Sequence, residues 1–202
     1  MPAPTAIFTA SEARVFDKGQ LASVADYPDA TITAAEVDIR TEFTAVLGFY
    51  PIPTSTVEYA DGDGTPELLL TYPEVTAVSA VSYIDTVGAA TAFTAAELAD
   101  LIIYPQGKLR RRGGSAFTAG YRNYAVTYTS GLATVPGDLK RAALWVCERR
   151  LVASDVPVEA ETGNWEGINW AATVDPSRNR WYGNHRVDGV LARYRRVLPG
   201  VA

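Results

Sequence analysis

The sequence predicts an α+β fold, with helices at both ends of the chain packed with a small, mostly antiparallel β-sheet from the middle. Three observations point there. Apolar residues recur at helical spacing before Gly48 and after Pro136, and between Thr56 and Thr129 they alternate with a period of two. Of the 202 residues 48% are hydrophobic and 20% charged, which suffices to bury a core.

Taken in order, Thr9-Ala10-Ser11-Glu12 reads as a capping box, in which hydroxyl and carboxylate each satisfy an orphan backbone N–H. Gly19 limits the helix that follows. Thr33-Ala34-Ala35-Glu36 repeats the signal, with Ile32 and Val37 placed as a hydrophobic staple. Ile39, Phe43, Val46 and Leu47 continue that helix until Gly48 and Pro51. Thr56 to Ala60 and Glu67 to Tyr72 flank Asp61-Gly62-Asp63-Gly64 and read as a hairpin. Val75 to Ile84 alternates as a longer strand. Thr94-Ala95-Ala96-Glu97 caps another short helix, ended before Tyr104-Pro105. Leu101 to Tyr104 and Lys108 to Arg111 form a second hairpin around Pro105-Gln106-Gly107, and Tyr124, Val126 and Tyr128 mark a last strand.

After Gly131 the helical period returns. Pro136-Gly137-Asp138 opens a helix whose Leu139, Ala142, Ala143, Val146 and Cys147 share a face, which Leu144, Trp145 and Leu151 widen. Residues 153–184 give no regular pattern, being interrupted by Pro157, Gly163, Gly167, Pro176 and Gly183. They nevertheless hold Trp165, Trp170 and Trp181, large apolar surfaces suited to docking. The chain closes with Val187, Val190, Leu191, Tyr194, Val197 and Leu198 at helical spacing, bordered by Arg186, Arg193 and Arg196. Such a stripe suits either packing on the chain's own core or contact with a partner.

Composition narrows the chemistry. Cys147 is the one cysteine and reads as a small buried apolar residue, which excludes an intrachain disulfide and a multi-cysteine zinc site. His185 is the one histidine; its place at a helix start suits that role better than general-base catalysis. No Walker sequence, dinucleotide fingerprint or Gly-x-Ser-x-Gly occurs. Asp61 to Gly64 resembles the start of a calcium loop, but its twelfth position is Tyr72 rather than the required glutamate. No catalytic, cofactor or metal residues are therefore assigned, and no enzyme is expected. No apolar run of membrane-spanning length is present, so no membrane partner is expected, and a soluble protein of a reducing cell interior fits.

The net charge of −5 is unevenly spread. Residues 1–107 hold fifteen acidic and three basic groups, net −12, whereas residues 108–202 hold eight and fifteen, net +7. Opposed halves suit head-to-tail contact between copies or an oppositely charged partner. Arg110-Arg111-Arg112-Gly113-Gly114 reads as a solvated loop, or as a non-specific phosphate contact.

Several strings in this order form a pattern. Gly48-Phe49-Tyr50 ends the capped helix. Leu68-Leu69-Leu70-Thr71-Tyr72-Pro73-Glu74-Val75-Thr76-Ala77-Val78 follows, then Gly107-Lys108-Leu109 at a hairpin turn. Val126-Thr127-Tyr128-Thr129-Ser130-Gly131 then precedes Val135-Pro136-Gly137-Asp138-Leu139-Lys140-Arg141-Ala142. From Thr31 to Leu151, and more loosely to Asp188–Arg196, the chain resembles the head–tail connector (adaptor) proteins of long-tailed bacteriophages and related gene transfer particles.

The resemblance implies a non-enzymatic structural protein of the virion, made in the bacterial host cytoplasm and placed in the capsid–tail neck. It implies a ring, commonly of 12 copies, under the portal protein. The ring would extend the DNA channel, touch passing DNA non-specifically and offer a surface to a tail-side stopper or terminator. It divides the chain into a connector-like α+β domain, 1–152, and an extended tryptophan-bearing arm with a basic C-terminal helix, 153–202. The expected portal or neighbour interface is Trp165, Trp170, Trp181, Arg186, Val187, Val190, Leu191, Arg193, Tyr194 and Arg196. The alternatives are another neck or tail ring protein (stopper or tail terminator) and a carbohydrate- or ligand-binding β-domain suggested by eleven tyrosines and four tryptophans. A hydrolase with an unfamiliar carboxylate site is a further rival.

Overall fold

The computed structural model describes residues 4–152, 162–165, 168–171 and 181–195. Among the described residues five helices and nine strands form the expected α+β fold, and every strand pair is antiparallel. The chain divides into a β unit, Phe49–Thr134, and a helical unit built from Ala6–Gly48 and the chain from Val135 onward. The units meet in sequence at 48/49 and 134/135. The terminal helices share one core, from which the β segment is inserted as a separate body.

In the β unit, β1 (Thr54–Gly62), β7 (Gly120–Ser130), β3 (Val75–Ile84) and β4 (Ala90–Ala92) form a four-stranded sheet in the order β1-β7-β3-β4. A three-stranded sheet has the order β2 (Glu67–Leu69), β6 (Lys108–Arg111), β5 (Leu101–Tyr104). Val81, Val126 and Tyr128 from the first sheet share one core with Leu68, Leu101 and Leu109 from the second. The hairpin around Pro105 forms as expected, with Leu101 opposite Arg111.

The expected hairpin across Asp61–Gly64 does not form. β1 pairs with β7, while β2 pairs with β6 in the other sheet. The turn residues explain the change of partner. A shift of register sits between Ala60 and Gly62, and Asp63 accepts the Thr65 N–H at 2.9 Å, steering the chain between sheets. Gly62 is obligatory there, since a Cβ would lie 2.0 Å from the Thr118 carbonyl oxygen. Asp61 accepts the Arg122 N–H at 2.6 Å, so both aspartates serve as turn acceptors.

In the helical unit, α1 (Ala10–Val15) is held by the expected capping box. The Glu12 N–H reaches Thr9 Oγ1 at 3.3 Å and the Thr9 N–H reaches Glu12 Oε2 at 2.8 Å. The box on α3 (Ala95–Ala99), in the β unit, forms in the same way. The box at Thr33–Glu36 does not, because α2 runs from Asp29 to Leu47 and starts a turn earlier, at Pro28. Pro28 supplies a fixed φ, and Asp29 suits the positive end of the helix dipole and pairs with Arg14. Glu36 is thereby freed to turn inward, where it accepts the Ile7 N–H at 2.8 Å. Ile32, Ile39, Phe43 and Leu47 bury the stripe of α2, and Gly48 ends it in the left-handed conformation at φ 75°.

Against α2 packs α4 (Gly137–Leu151), through Leu139, Ala143 and Cys147. Burial pushes the Cys147 thiol up to about 11, as expected of an inert core residue. The last helix, α5 (His185–Tyr194), packs on both α2 and α4. Within 153–184, where no element is expected, β8 (Thr162–Trp165) and β9 (Ile168–Ala171) pair as a ribbon.

Candidate docking site on the helical unit

α5 starts where Asn184 accepts the Arg186 N–H at 3.0 Å, so His185 occupies the first turn. Val187 and Leu191 are 1% and 0% exposed, anchoring the helix in its own unit's core. Asp188, also buried, accepts the Trp181 and Tyr182 N–H groups at 3.0 and 2.9 Å. Burial raises its carboxyl above the ordinary value, and these backbone donors offset part of that rise. Tyr182 donates to Glu42 at 2.7 Å and sets its ring edge-on to Phe43 at 5.9 Å. Burial, with that bond to Glu42, pushes the Tyr182 phenol well above its usual range.

At its far end α5 is tied to the start of α4. Tyr194 donates to Asp138 Oδ1 at 2.9 Å, and Arg193 pairs with Asp138 Oδ2 at 3.0 Å. The aspartate holds the tyrosine in its protonated form and raises its pKa, with burial adding to the rise. The helix stops at Tyr194, so the stripe contributes four positions. Arg196, Val197 and Leu198 lie outside the described residues. Arg195, which caps the helix, sits over the Trp181 ring at 5.5 Å.

Between α1, α4 and α5 runs an open groove of about 960 Å³. Phe16 and Trp145 form its aromatic floor, edge-to-face at 5.7 Å, and the Arg186 guanidinium lies over the Trp145 ring at 5.7 Å. Val15, Val187 and Val190 add apolar wall. A smaller cavity of about 280 Å³ shares Trp145 and Arg186 and adds Arg149 and His185.

The charges along the groove fall into two classes. Glu12 is paired with Lys140 at 2.7 Å; burial opposes ionisation, but the bonds from Lys140 and Thr9 prevail and hold its carboxyl below the ordinary value. Asp138 is taken up by Arg193 and Tyr194. Exposed Arg141 and Arg149 make no ion pair among the described residues. Glu148 is buried, and its Oε1 has no hydrogen-bond partner among the described residues. Burial raises its carboxyl, and the nearby Asp17 carboxylate adds to the rise. No group of three or more metal-ligating side chains occurs among the described residues.

Of the expected interface residues, the structure brings Arg186, Val187 and Val190 together on the groove. Leu191 belongs to the core instead, and Arg193 and Tyr194 hold Asp138 at the groove's end. Trp181 stands over the start of α5, while the backbones of Trp165 and Trp170 pair with Ile168 and Gly163 in the ribbon. Sequence reasoning missed the floor, Phe16 and Trp145, and the cations Arg141 and Arg149. Arg141, Trp145 and Arg149 are spaced i, i+4, i+8, which puts them on one helix face; that spacing was the available signal. In the β unit, Arg111 lies between the rings of Phe93 and Phe117 at 4.7 and 4.8 Å, which takes it out of the solvated loop. Tyr124 and Tyr128 are core residues as well.

No family model and no curated protein matches the chain. Solved structures do. A chain in the neck of an empty gene transfer agent (GTA) particle computed with C6 symmetry has a TM-score of 0.63 at 16% identity, covering 98% of this chain and 97% of that one. A chain in the neck of the native particle computed with C12 symmetry gives 0.58 at 16% identity, with 99% of each chain covered. A chain of the virion of the native particle gives 0.59 at 14%, covering 99% and 96%. The likeness is one of fold, and from end to end this chain is similar to neck and virion proteins of a gene transfer agent particle.

Proposed function

We propose that this chain is a structural, non-enzymatic protein of a virion neck: the head-to-tail adaptor, which forms a ring under the portal. The observation that carries the reading is the likeness to neck chains over at least 97% of both chains in two structures. A shared architecture of that extent includes the helical unit, the β unit and their order in sequence. The C12 symmetry of one of those necks supports a ring of twelve copies, a heterologous interface that closes on itself. In this reading the ring extends the DNA channel, meets passing DNA non-specifically and presents a face to a tail-side stopper or terminator.

The arm residues Trp165 and Trp170, with Trp181, the exposed border of α5 at Arg186 and Arg193, and Arg196 beyond the described helix, serve as portal or neighbour contacts. Val187 and Leu191 support that surface from beneath. Mass photometry of the free chain and of the chain mixed with isolated portal tests the reading. Weak association alone and a ring on the portal are expected. Binding to the tail tube but not to portal would make the chain a stopper or tail terminator instead.

A further inference from the structure

We infer that the groove around Trp145 is a docking site for an acidic peptide segment with one aromatic or aliphatic anchor. The floor of Phe16 and Trp145 supplies the anchor's seat, within a volume of about 960 Å³ that suits a short stretch of chain. Charge complementarity fixes the rest of the chemistry. Arg141 lines the groove and Arg149 the smaller adjoining cavity, one helical turn to either side of Trp145; neither makes an ion pair among the described residues, while Arg186 lies over the indole ring. Guanidinium groups so placed can donate paired hydrogen bonds to the carboxylates of a bound segment.

The groove's own acids do not cancel this field. Glu12 and Asp138 are already neutralised by Lys140 and Arg193, which leaves Asp17 as the opposing charge among the lining residues. The carboxylates of Glu12, Asp17 and Asp138 line the same groove as Arg141 and Arg186 and interrupt the run of positive charge that a continuous polyanion would need. The arrangement therefore favours a peptide with spaced acids over nucleic acid. The inference adds the partner chemistry of one surface to the neck reading, and it rests on that reading only for the natural owner of the segment, a neighbouring protein in the particle.

The test uses the isolated full chain, so its failure leaves the neck assignment standing. Calorimetry would compare a synthetic peptide of Glu and Asp around a central Phe-Leu pair with its Lys and Arg counterpart. The acidic peptide should bind, the basic one should not, and replacing Phe-Leu by Gly-Gly should abolish binding. Arg141→Glu with Arg149→Glu should weaken the acidic peptide about tenfold or more. Arg110→Glu with Arg112→Glu changes net charge equally in the β unit and should leave binding unchanged. Equal binding of both peptides, equal loss in both double variants, or full competition by a duplex oligonucleotide would overturn the proposal.

Discussion

The two units support their acidic groups differently. In the β unit the Glu58 carboxylate receives the Thr71 N–H at 2.9 Å, the Thr71 hydroxyl at 2.7 Å and the Tyr128 hydroxyl at 2.6 Å. The Tyr128 phenol is driven far above its usual range by burial and by that carboxylate, while the buried Arg111 Nε of the same unit has no hydrogen-bond partner among the described residues and its guanidinium lies against the Phe93 and Phe117 rings. The helical unit instead buries three acids with unequal support. Glu36 accepts Ile7, Asp188 accepts two backbone N–H groups, and Glu148 leaves one oxygen unbonded among the described residues. Three donors gathered on one half-buried carboxylate fix the strands that carry them, whereas a buried acid with an unbonded oxygen lacks that support.

The largest effect should come from the core of the helical unit. Leu191→Ala removes a fully buried side chain at the junction of α5 with α2 and α4, and should cost about 2–5 kcal/mol by thermal or urea unfolding. A loss within about 0.5 kcal/mol would mean that α5 is not anchored there. Next, Tyr128→Phe deletes a bond to a charged acceptor and should cost about 1.5–3 kcal/mol, with Glu58→Gln showing partial non-additivity. An unchanged midpoint would break the contrast between the units.

A subtler effect separates the carboxylates by sign. A raised pKa means that the folded state favours the protonated acid. The stability contributed by Glu148 is therefore complete below the ordinary glutamate value of 4.5 and is lost as pH rises through its folded value. Glu148→Gln should match the wild type at low pH and gain on it as pH rises, read from melting temperatures across the range. Glu12 runs the other way. Its lowered pKa gives stability present above 4.5 and lost on acidification, so Glu12→Gln should fall behind at neutral pH. Smallest of all, Arg193→Ala breaks an exposed ion pair and should change stability by about 0–1 kcal/mol.

Much of this fold is written in local signals. The boxes at Thr9 and Thr94, the strand at Val75–Ile84 and the helix opened by Pro136 need only neighbours in sequence. What escaped depends on distant partners. Thr33–Glu36 has the composition of a cap, but Asp29 pairs with Arg14 and Glu36 meets Ile7, contacts made across fifteen and twenty-nine positions. Glu67–Leu69 follows a turn that looks like a hairpin, yet its partner strand comes about forty residues later. The basic border of α5 was legible, but the Phe16–Trp145 floor forms only when α1 and α4 meet.

The central claim is that this chain is a ring subunit of a particle neck, and the most direct measurement is a localised cryo-electron-microscopy reconstruction. The neck of particles from cells that encode the chain would be imaged without imposed symmetry. The account expects twelve copies of this two-unit fold in a ring against the portal, with the α5 border facing a protein neighbour. A portal joined directly to the tail by other proteins, with no density for this fold, would contradict it.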